Sequence, residues 1–434
     1  MQSVGISNIS VTLPLYDAAP NNIRNNKPTT NQQERPIMKK LASIIALQLA
    51  IAGSVYANTD IDSLSKQVAS LQAQVNALHN SSNNSKDYIV SNKAAFSNIF
   101  SGGAAYIDKT SSLLKMISNN QIPTGQTSLG GKLESVTSYS SNNYNSESNS
   151  NLSTQAKFGI ISRPSDLFTA VVTLNAKDSG GVQPYSIYGV LGNLNRSPLY
   201  LIAGYKNIDF GYMARYSNVI SNFNRLFNSS NSTQVEAGYY KNGLNAMVTV
   251  FNGSSQTHTN GNQISNIAAN IAYTMNISNS LTTSSGGGVL NSINSTAKLM
   301  NSDSITLTTK KAPAWDLFQT FTYAMPNQSK VNAYIEYVQA SRNGLNSTKP
   351  ASLSSSIEYQ FNAKGWTLIP SFNYSHLSGA AFTADPTNTA SLNQYVLSMA
   401  TYVGPVKVGV DYGHLITPVY KDDVAELHAE YLFG

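Results

Sequence analysis

From Leu129 onward, apolar side chains recur at every second position in segments of about ten residues. Phe168, Ala170, Val172, Leu174 and Ala176 share one face of such a segment. Val235, Ala237 and Tyr239 do the same, and after a turn at Lys241-Asn242-Gly243 the pattern resumes with Leu244, Ala246, Val248 and Val250. Val331 to Tyr337, Ile357 to Phe361, Trp366 to Tyr374, Tyr395 to Val403, Val406 to Tyr412 and Leu427 to Phe433 repeat it. A period of two is a strand with one apolar face. Strands are therefore expected at 129–139, 154–162, 167–176, 185–190, 199–208, 233–241, 244–252, 265–275, 280–290, 314–324, 331–340, 353–361, 366–374, 394–403, 406–413 and 425–433. The gaps between them alternate long and short. A β-sandwich or β-helix has no reason to do this. Bacterial outer-membrane barrels do, with an even strand number, short periplasmic turns and long outer loops. The expectation is an all-β fold: a 16-stranded antiparallel transmembrane β-barrel over 127–434, preceded by a short N-terminal coiled-coil helix.

The chain ahead of the barrel supports export. Lys39 and Lys40 precede an apolar run from Leu41 to Ala52, and Val55-Tyr56-Ala57 forms a small-x-small cleavage site, so 38–57 reads as a secretory signal peptide. The run is shorter than the ~20 residues of a membrane-spanning helix. Met38 is then the expected true start, and 1–37 a mis-annotated upstream extension. In 58–80, Ile61, Leu64, Val68, Leu71, Val75 and Leu78 are spaced 3, 4, 3, 4, 3, an a/d heptad suited to self-association. "NSSNNSKD" at 80–87 reads as a flexible break, and 81–126 as a linker or periplasmic segment. An even strand number puts both barrel ends, and the coiled coil, on the periplasmic side of a Gram-negative outer membrane.

One connection has the wrong composition for a loop. Residues 207–227, "NIDFGYMARYSNVISNFNRLF", follow the fifth strand and form the third outer loop. Phe210, Tyr212, Met213, Val219, Ile220, Phe223, Leu226 and Phe227 surround Arg215 and Arg225. Other outer loops, such as "NGSSQTHTNGN" at 252–262, are polar. A 16-stranded barrel leaves an aqueous lumen, and a loop of this kind can bury its apolar groups by folding inward against the wall. Arg215 and Arg225 would then meet whatever passes, as forked donors matched to carboxylate or phosphate. Alternatively, Phe210 to Tyr216 prolongs the fifth strand, with Tyr212, Ala214 and Tyr216 on one face and Arg215 at the rim. Lys132, Glu134, Lys157, Lys206, Glu236, Glu336, Glu358, Lys407, Asp411 and Glu426 fall opposite the apolar face and should point into the lumen. The candidate pore residues are Arg215, Arg225, Lys206, Lys157 and Tyr212.

Several functions are disfavoured. Charged residues make up only 12%, against about 25% in soluble domains, and no basic run suggests nucleic acid. Half of the +6 net charge lies in 1–57, where Arg24, Lys27, Arg35, Lys39 and Lys40 face only Asp17 and Glu34. The chain has no cysteine, and its five histidines (His79, His258, His376, His414, His428) are scattered, so no metal or nucleophile signature emerges and no cofactor is expected. An enzyme is not expected.

The order of parts resembles the LbtU family of siderophore porins, which includes the legiobactin receptor of Legionella and related iron-uptake proteins of Francisella. The most local likeness is "LYLIAGYKNIDFGYMARYSNVISNF", where Ala203-Gly204 leads to Phe210-Gly211 at the opening of the third loop. The resemblance implies uptake of a ferric polycarboxylate siderophore without the plug domain of TonB-linked receptors. The ~70 residues between Asn58 and the first strand are few for a globular plug of the usual size, which fits this implication. A small anionic solute, a general diffusion porin and a structural or adhesive surface barrel are the other readings. The expected partners are the solute, outer-membrane lipid and a second copy of the chain through the heptad.

Overall fold

Each of the sixteen segments with a two-residue period forms a strand in the computed structural model, and most of the ranges are longer than the apolar pattern alone marks. They are β1 (Gln126–Asn142), β2 (Glu147–Ser165), β3 (Phe168–Lys177), β4 (Val182–Leu191), β5 (Leu199–Asn207), β6 (Asn231–Lys241), β7 (Leu244–Asn252) and β8 (Ile264–Asn276). Then follow β9 (Leu281–Leu290), β10 (Ala314–Ala324), β11 (Lys330–Ala340), β12 (Ala351–Ala363), β13 (Trp366–Phe382), β14 (Thr389–Val403), β15 (Val406–Ile416) and β16 (Lys421–Phe433). Neighbours in sequence pair antiparallel, and β16 pairs with β1 from Asp422↔Asn142 to Phe433↔Gly131, which closes the barrel. The structure describes residues 89–91, 93–100, 106–142, 147–178, 180–228, 231–252, 264–293, 305–306, 312–341, 349–382, 389–418 and 421–433. The expected upstream extension (1–37), signal peptide (38–57) and coiled coil (58–80, with Ile61, Leu64, Val68, Leu71, Val75 and Leu78) lie outside the described residues.

The barrel is built inside out. Leu397, Ile271 and Leu317 point outward and are 58%, 52% and 60% exposed, while Thr173, Glu236 and Ser354 point inward and are buried. An apolar outer face and a polar inner face suit lipid outside and water inside.

Two inner surfaces break that rule, and both are covered. At the end with the short turns, Ile161, Val171, Val190, Tyr200 and Ile202 of β2–β5 face inward. Two helices, α1 (Lys93–Phe100) and α2 (Tyr106–Ser118), pack Ala95, Phe96, Ile99, Phe100, Leu113, Leu114 and Ile117 onto this patch. Gly159 makes the hollow they fill, because a Cβ there would come within 2.7 Å of the Phe100 ring and 2.8 Å of the Phe96 ring. Helices α1 and α2, expected as part of a linker or periplasmic segment, are therefore packed against the inner wall. Arg163, buried near the end of β2, fixes the lower end of α2 by donating to the carbonyl oxygens of Ile117 (3.3 Å) and Ile122 (2.8 Å). A short strand, Ile89–Ser91, pairs in parallel with Thr127–Leu129 of β1. Helix α2 thus runs down the lumen towards the start of β1.

The second apolar patch lies at the opposite end. Phe251, Ala268, Leu290, Val338, Leu377 and Leu392 point inward there and are covered by the connection between β5 and β6.

Candidate functional site

That connection, loop L3 (208–230), leaves the wall at once. Gly211 and Met213 adopt φ of +75° and +54°, which bends the chain out of the extended path. It does not prolong β5. A side chain at Gly211 would also meet Glu336 Oε1 at 3.1 Å. Ile208, Phe210, Met213, Phe223, Leu226 and Phe227 are buried against the outer-end patch, so the loop's apolar composition is a wall contact.

Two lumenal carboxylates hold the loop. Glu336 on β11 accepts from the backbone N–H of Tyr212 (2.6 Å) and Met213 (3.0 Å) and from Asn224 Nδ2 (3.0 Å). Asp411 on β15 accepts from the N–H of Asn218 (3.1 Å), Val219 (2.7 Å) and Ile220 (3.1 Å), and from Asn218 Nδ2 (2.8 Å). Between them, on β13, Ser371 donates to the Tyr216 carbonyl (2.8 Å) and Asn373 accepts from its N–H (3.2 Å). Consecutive amides converging on one carboxylate form a charge-assisted anchor. L3 is therefore a strap laid along the inner faces of β11, β13 and β15.

Helix α2 meets this strap from below. Thr110 Oγ1 donates to Asp209 Oδ2 (2.6 Å), Asn245 Nδ2 donates to Ser111 Oγ (2.9 Å), and Tyr212 hydrogen-bonds Asp108. Ile107 packs with Tyr212, Ala214, Met247, Phe318 and Tyr334. Burial pushes Asp108 up to about 6, partly opposed by the Tyr212 hydrogen bond, and burial holds the Tyr212 hydroxyl well above its ordinary value.

The sequence-predicted residues divide. Arg215 and Arg225 both lie on the strap, and Lys157 lies on β2. Arg215 donates to the carbonyl oxygens of Val219 and Asn218 and to Ser221 Oγ (3.1 Å), so much of its fork braces the loop. Burial, then the Arg225 charge, brings it down to about 10. Arg225 Nε donates to the Met213 carbonyl (2.7 Å). Lys157 Nζ lies 4.8 Å above the Tyr185 ring, a cation–π distance. Lys206, expected among the pore cations, is instead sealed between Asp209 (2.7 Å) and Glu236 (3.3 Å). Tyr212, expected to line the pore, is buried and stacks on Phe318 with ring centroids 4.8 Å apart. Both are joints of the inner scaffold. Glu336 and Asp411 lie on the inner face, as the alternation predicts, and there they anchor the loop. Lys109 on α2 was missed altogether, because its segment carried no strand signal.

Among the described residues, one group of three acidic or histidine side chains has metal-donor chemistry. Donor atoms of Glu134, His428 and Glu430 lie within 4.8 Å of one another. Lys132 Nζ already sits 2.9 Å from Glu134 and 2.7 Å from Glu430, so a cation occupies the position a metal ion would need.

No family model and no curated protein matches the sequence. Solved structures do match the fold. OprB of Pseudomonas putida superposes with a TM-score of 0.51 at 10% identity, over 75% of this chain and 97% of that one. The chain has the barrel fold of outer-membrane porins. An anion-selective porin from Comamonas acidovorans (TM-score 0.49, 9% identity, 71% of this chain and 99% of that one) and the outer-membrane channel DcaP of Acinetobacter baumannii (0.48, 12%, 71% and 97%) are similar at a lower level. At these identities the likeness concerns the fold alone.

Proposed function

We propose that the protein is a porin-like outer-membrane channel for small anionic solutes, of which a ferric polycarboxylate siderophore is the member implied by the resemblance to siderophore porins. The observation that carries this reading is the strap: L3 folds inward along β11, β13 and β15 and carries Arg215 and Arg225 with it. Four of the acidic groups around it are already engaged. Glu336 and Asp411 hold loop amides, and Glu134 and Glu430 hold Lys132. Arginines on an inward-folded loop select by their field even where guanidinium donors brace the loop.

Planar-bilayer recording under a KCl gradient tests it. The wild type is expected to give a reversal potential on the chloride side, and Arg215→Gln with Arg225→Gln to move it toward the potassium side. No conductance sinks the channel reading. Conductance without ion preference, unmoved by the substitutions, leaves a general diffusion porin. Growth of a deletion strain on iron supplied only as a ferric polycarboxylate chelate tests the finer assignment.

A further inference from the structure

Beneath the root of L3, the inner wall carries acceptors that no donor meets. Asn270 on β8, Gly288 on β9 and Asp316 on β10 form one row across three strands, paired Asn270↔Gly288↔Asp316. The row lies on the inner face, since its strand neighbours Ile271, Val289 and Leu317 are exposed on the outer one. Gly288 has no side chain, and its two partners reach over it. Asp316 Oδ1 and the Asn270 amide carbon lie 2.9 Å and 3.2 Å from the point where a Gly288 Cβ would stand. Both side chains are buried, Asp316 at 1% exposure and Asn270 at 4%. Neither oxygen of Asp316 has a hydrogen-bond donor among the described residues, nor does Asn270 Oδ1. The amides of Gly211 and Gly288 approach Asp316 without completing a hydrogen bond of ordinary geometry. Asn270 Nδ2 donates to the Asp209 carbonyl of L3 (3.3 Å), which leaves Oδ1 as the acceptor facing the row.

A second carboxylate stands beside the row. Asp316 pairs with Val338 and Phe318 with Glu336, so Glu336 on β11 is the diagonal neighbour of Asp316 on the same face. Diagonal neighbours are within reach of one another. Gly211 of L3 lies between them: its amide approaches Asp316, and its Cβ position is 3.1 Å from Glu336 Oε1. Glu336 holds the amides of Tyr212 and Met213 and lies in the field of Arg225, whereas the charge acting on Asp316 is the like charge of Glu336. One proton would supply a single O–H donor, and a water supplies two donors but no charge. A divalent cation answers both carboxylates and the amide oxygen together. Oxygen-only donors in an irregular array suit calcium, while magnesium demands octahedral geometry and keeps several waters. We propose that Asp316, Asn270 and Glu336 form a calcium site under the root of L3, which pins the strap to the wall beside its bend at Gly211. The site is independent of what the channel conducts.

The test is a calcium titration of the full-length exported protein, folded in a zwitterionic detergent and stripped of metal with EDTA. It is read by calorimetry and by hydrogen exchange at the Tyr212 and Met213 amides. Wild type is expected to take up calcium and to slow exchange at both amides. Asp316→Asn, which keeps the shape and removes the charge, is expected to lose both responses while migrating as a folded, heat-modifiable barrel. Gly288→Ala, whose Cβ would stand 2.9 Å from Asp316 Oδ1, is expected to lose them as well, and it carries the test if Asp316→Asn does not fold. Glu430→Gln, in the acidic group around Lys132, retains both. Wild type without calcium uptake overturns the site in favour of a proton shared by the two carboxyls. Asp316→Asn and Gly288→Ala behaving like wild type overturn it too. Uptake lost in Glu430→Gln but kept in Asp316→Asn places the ion at the Glu134–His428–Glu430 group and refutes the site under L3.

Discussion

Asp108 shows how a single residue ties the helix pair to solution conditions. Its carboxyl lies under the strap, hydrogen-bonded to Tyr212, and titrates at about 6 instead of 3.8 because burial disfavours the charged form. With α2 docked, the group therefore holds its proton over an interval in which the undocked helix would have lost it. The docked state binds more protons there, so docking is strongest below pH 3.8, weakens as pH rises to about 6, and is level above that. Hydrogen exchange of α2 amides in the full chain, compared at each pH with Asp108→Asn, should show wild-type protection falling across this window relative to the variant. A constant ratio from pH 4 to 7 would refute the assignment. Residues of this kind are hard to read from sequence. Alternation placed Glu336 and Asp411 on the inner face, because one flip of the pleat decides it. Which amides they hold depends on a strap that arrives from more than a hundred residues away in sequence.

Among the elements, strands were legible and helices were not, for a physical reason. A barrel strand has lipid on one side and a polar interior on the other, so it carries its environment in a two-residue period. The helices α1 and α2 have protein on most sides. Their apolar groups at Ala95, Phe96, Ile99 and Phe100, and at Leu113, Leu114 and Ile117, match a 3.6-residue period, but over only 8 and 13 residues. The complementary signal was on the wall: apolar groups at Ile161, Val171, Val190 and Ile202, where a water-filled lumen calls for polar ones. Gly159 is the seat of this contact, and it gives a direct test. Gly159→Val puts methyl groups where the Phe96 and Phe100 rings lie, less than 3 Å from its Cβ. Strand propensity favours Val over Gly, so β2 itself should persist. The expected result is a barrel that assembles normally, shown by heat-modifiable migration, with single-channel conductance raised because α1 no longer seats. Unchanged conductance in a folded barrel would mean that α1 lies clear of the conducting path.

At the scale of the whole molecule, one inversion organises everything else. Polar side chains face a lumen that is narrowed by the strap above and the helix pair below, and apolar side chains face outward around the full circumference. The sixteen-strand count and the alternating gaps followed from this inversion, since each crossing must use one strand and end on a turn or a loop. The contents of the lumen did not follow, because a barrel of this size accepts many internal fillings without altering its outer pattern. The inversion can be tested at adjacent positions on one strand. Leu397 and Ser398 sit near the middle of β14, the first 58% exposed on the outer face and the second buried on the inner one. In a soluble barrel, Leu397→Lys would be harmless and Ser398→Lys would crowd a packed interior. In a membrane, lysine on the lipid face near mid-depth costs about 2–4 kcal/mol, whereas at Ser398 its long stem can extend toward the wet part of the lumen. Folding into lipid vesicles from urea should therefore show Leu397→Lys destabilised by about 2–4 kcal/mol and Ser398→Lys by less. The reverse order would place water on the outer face and overturn the membrane assignment on which the channel, its filter and its helix all depend.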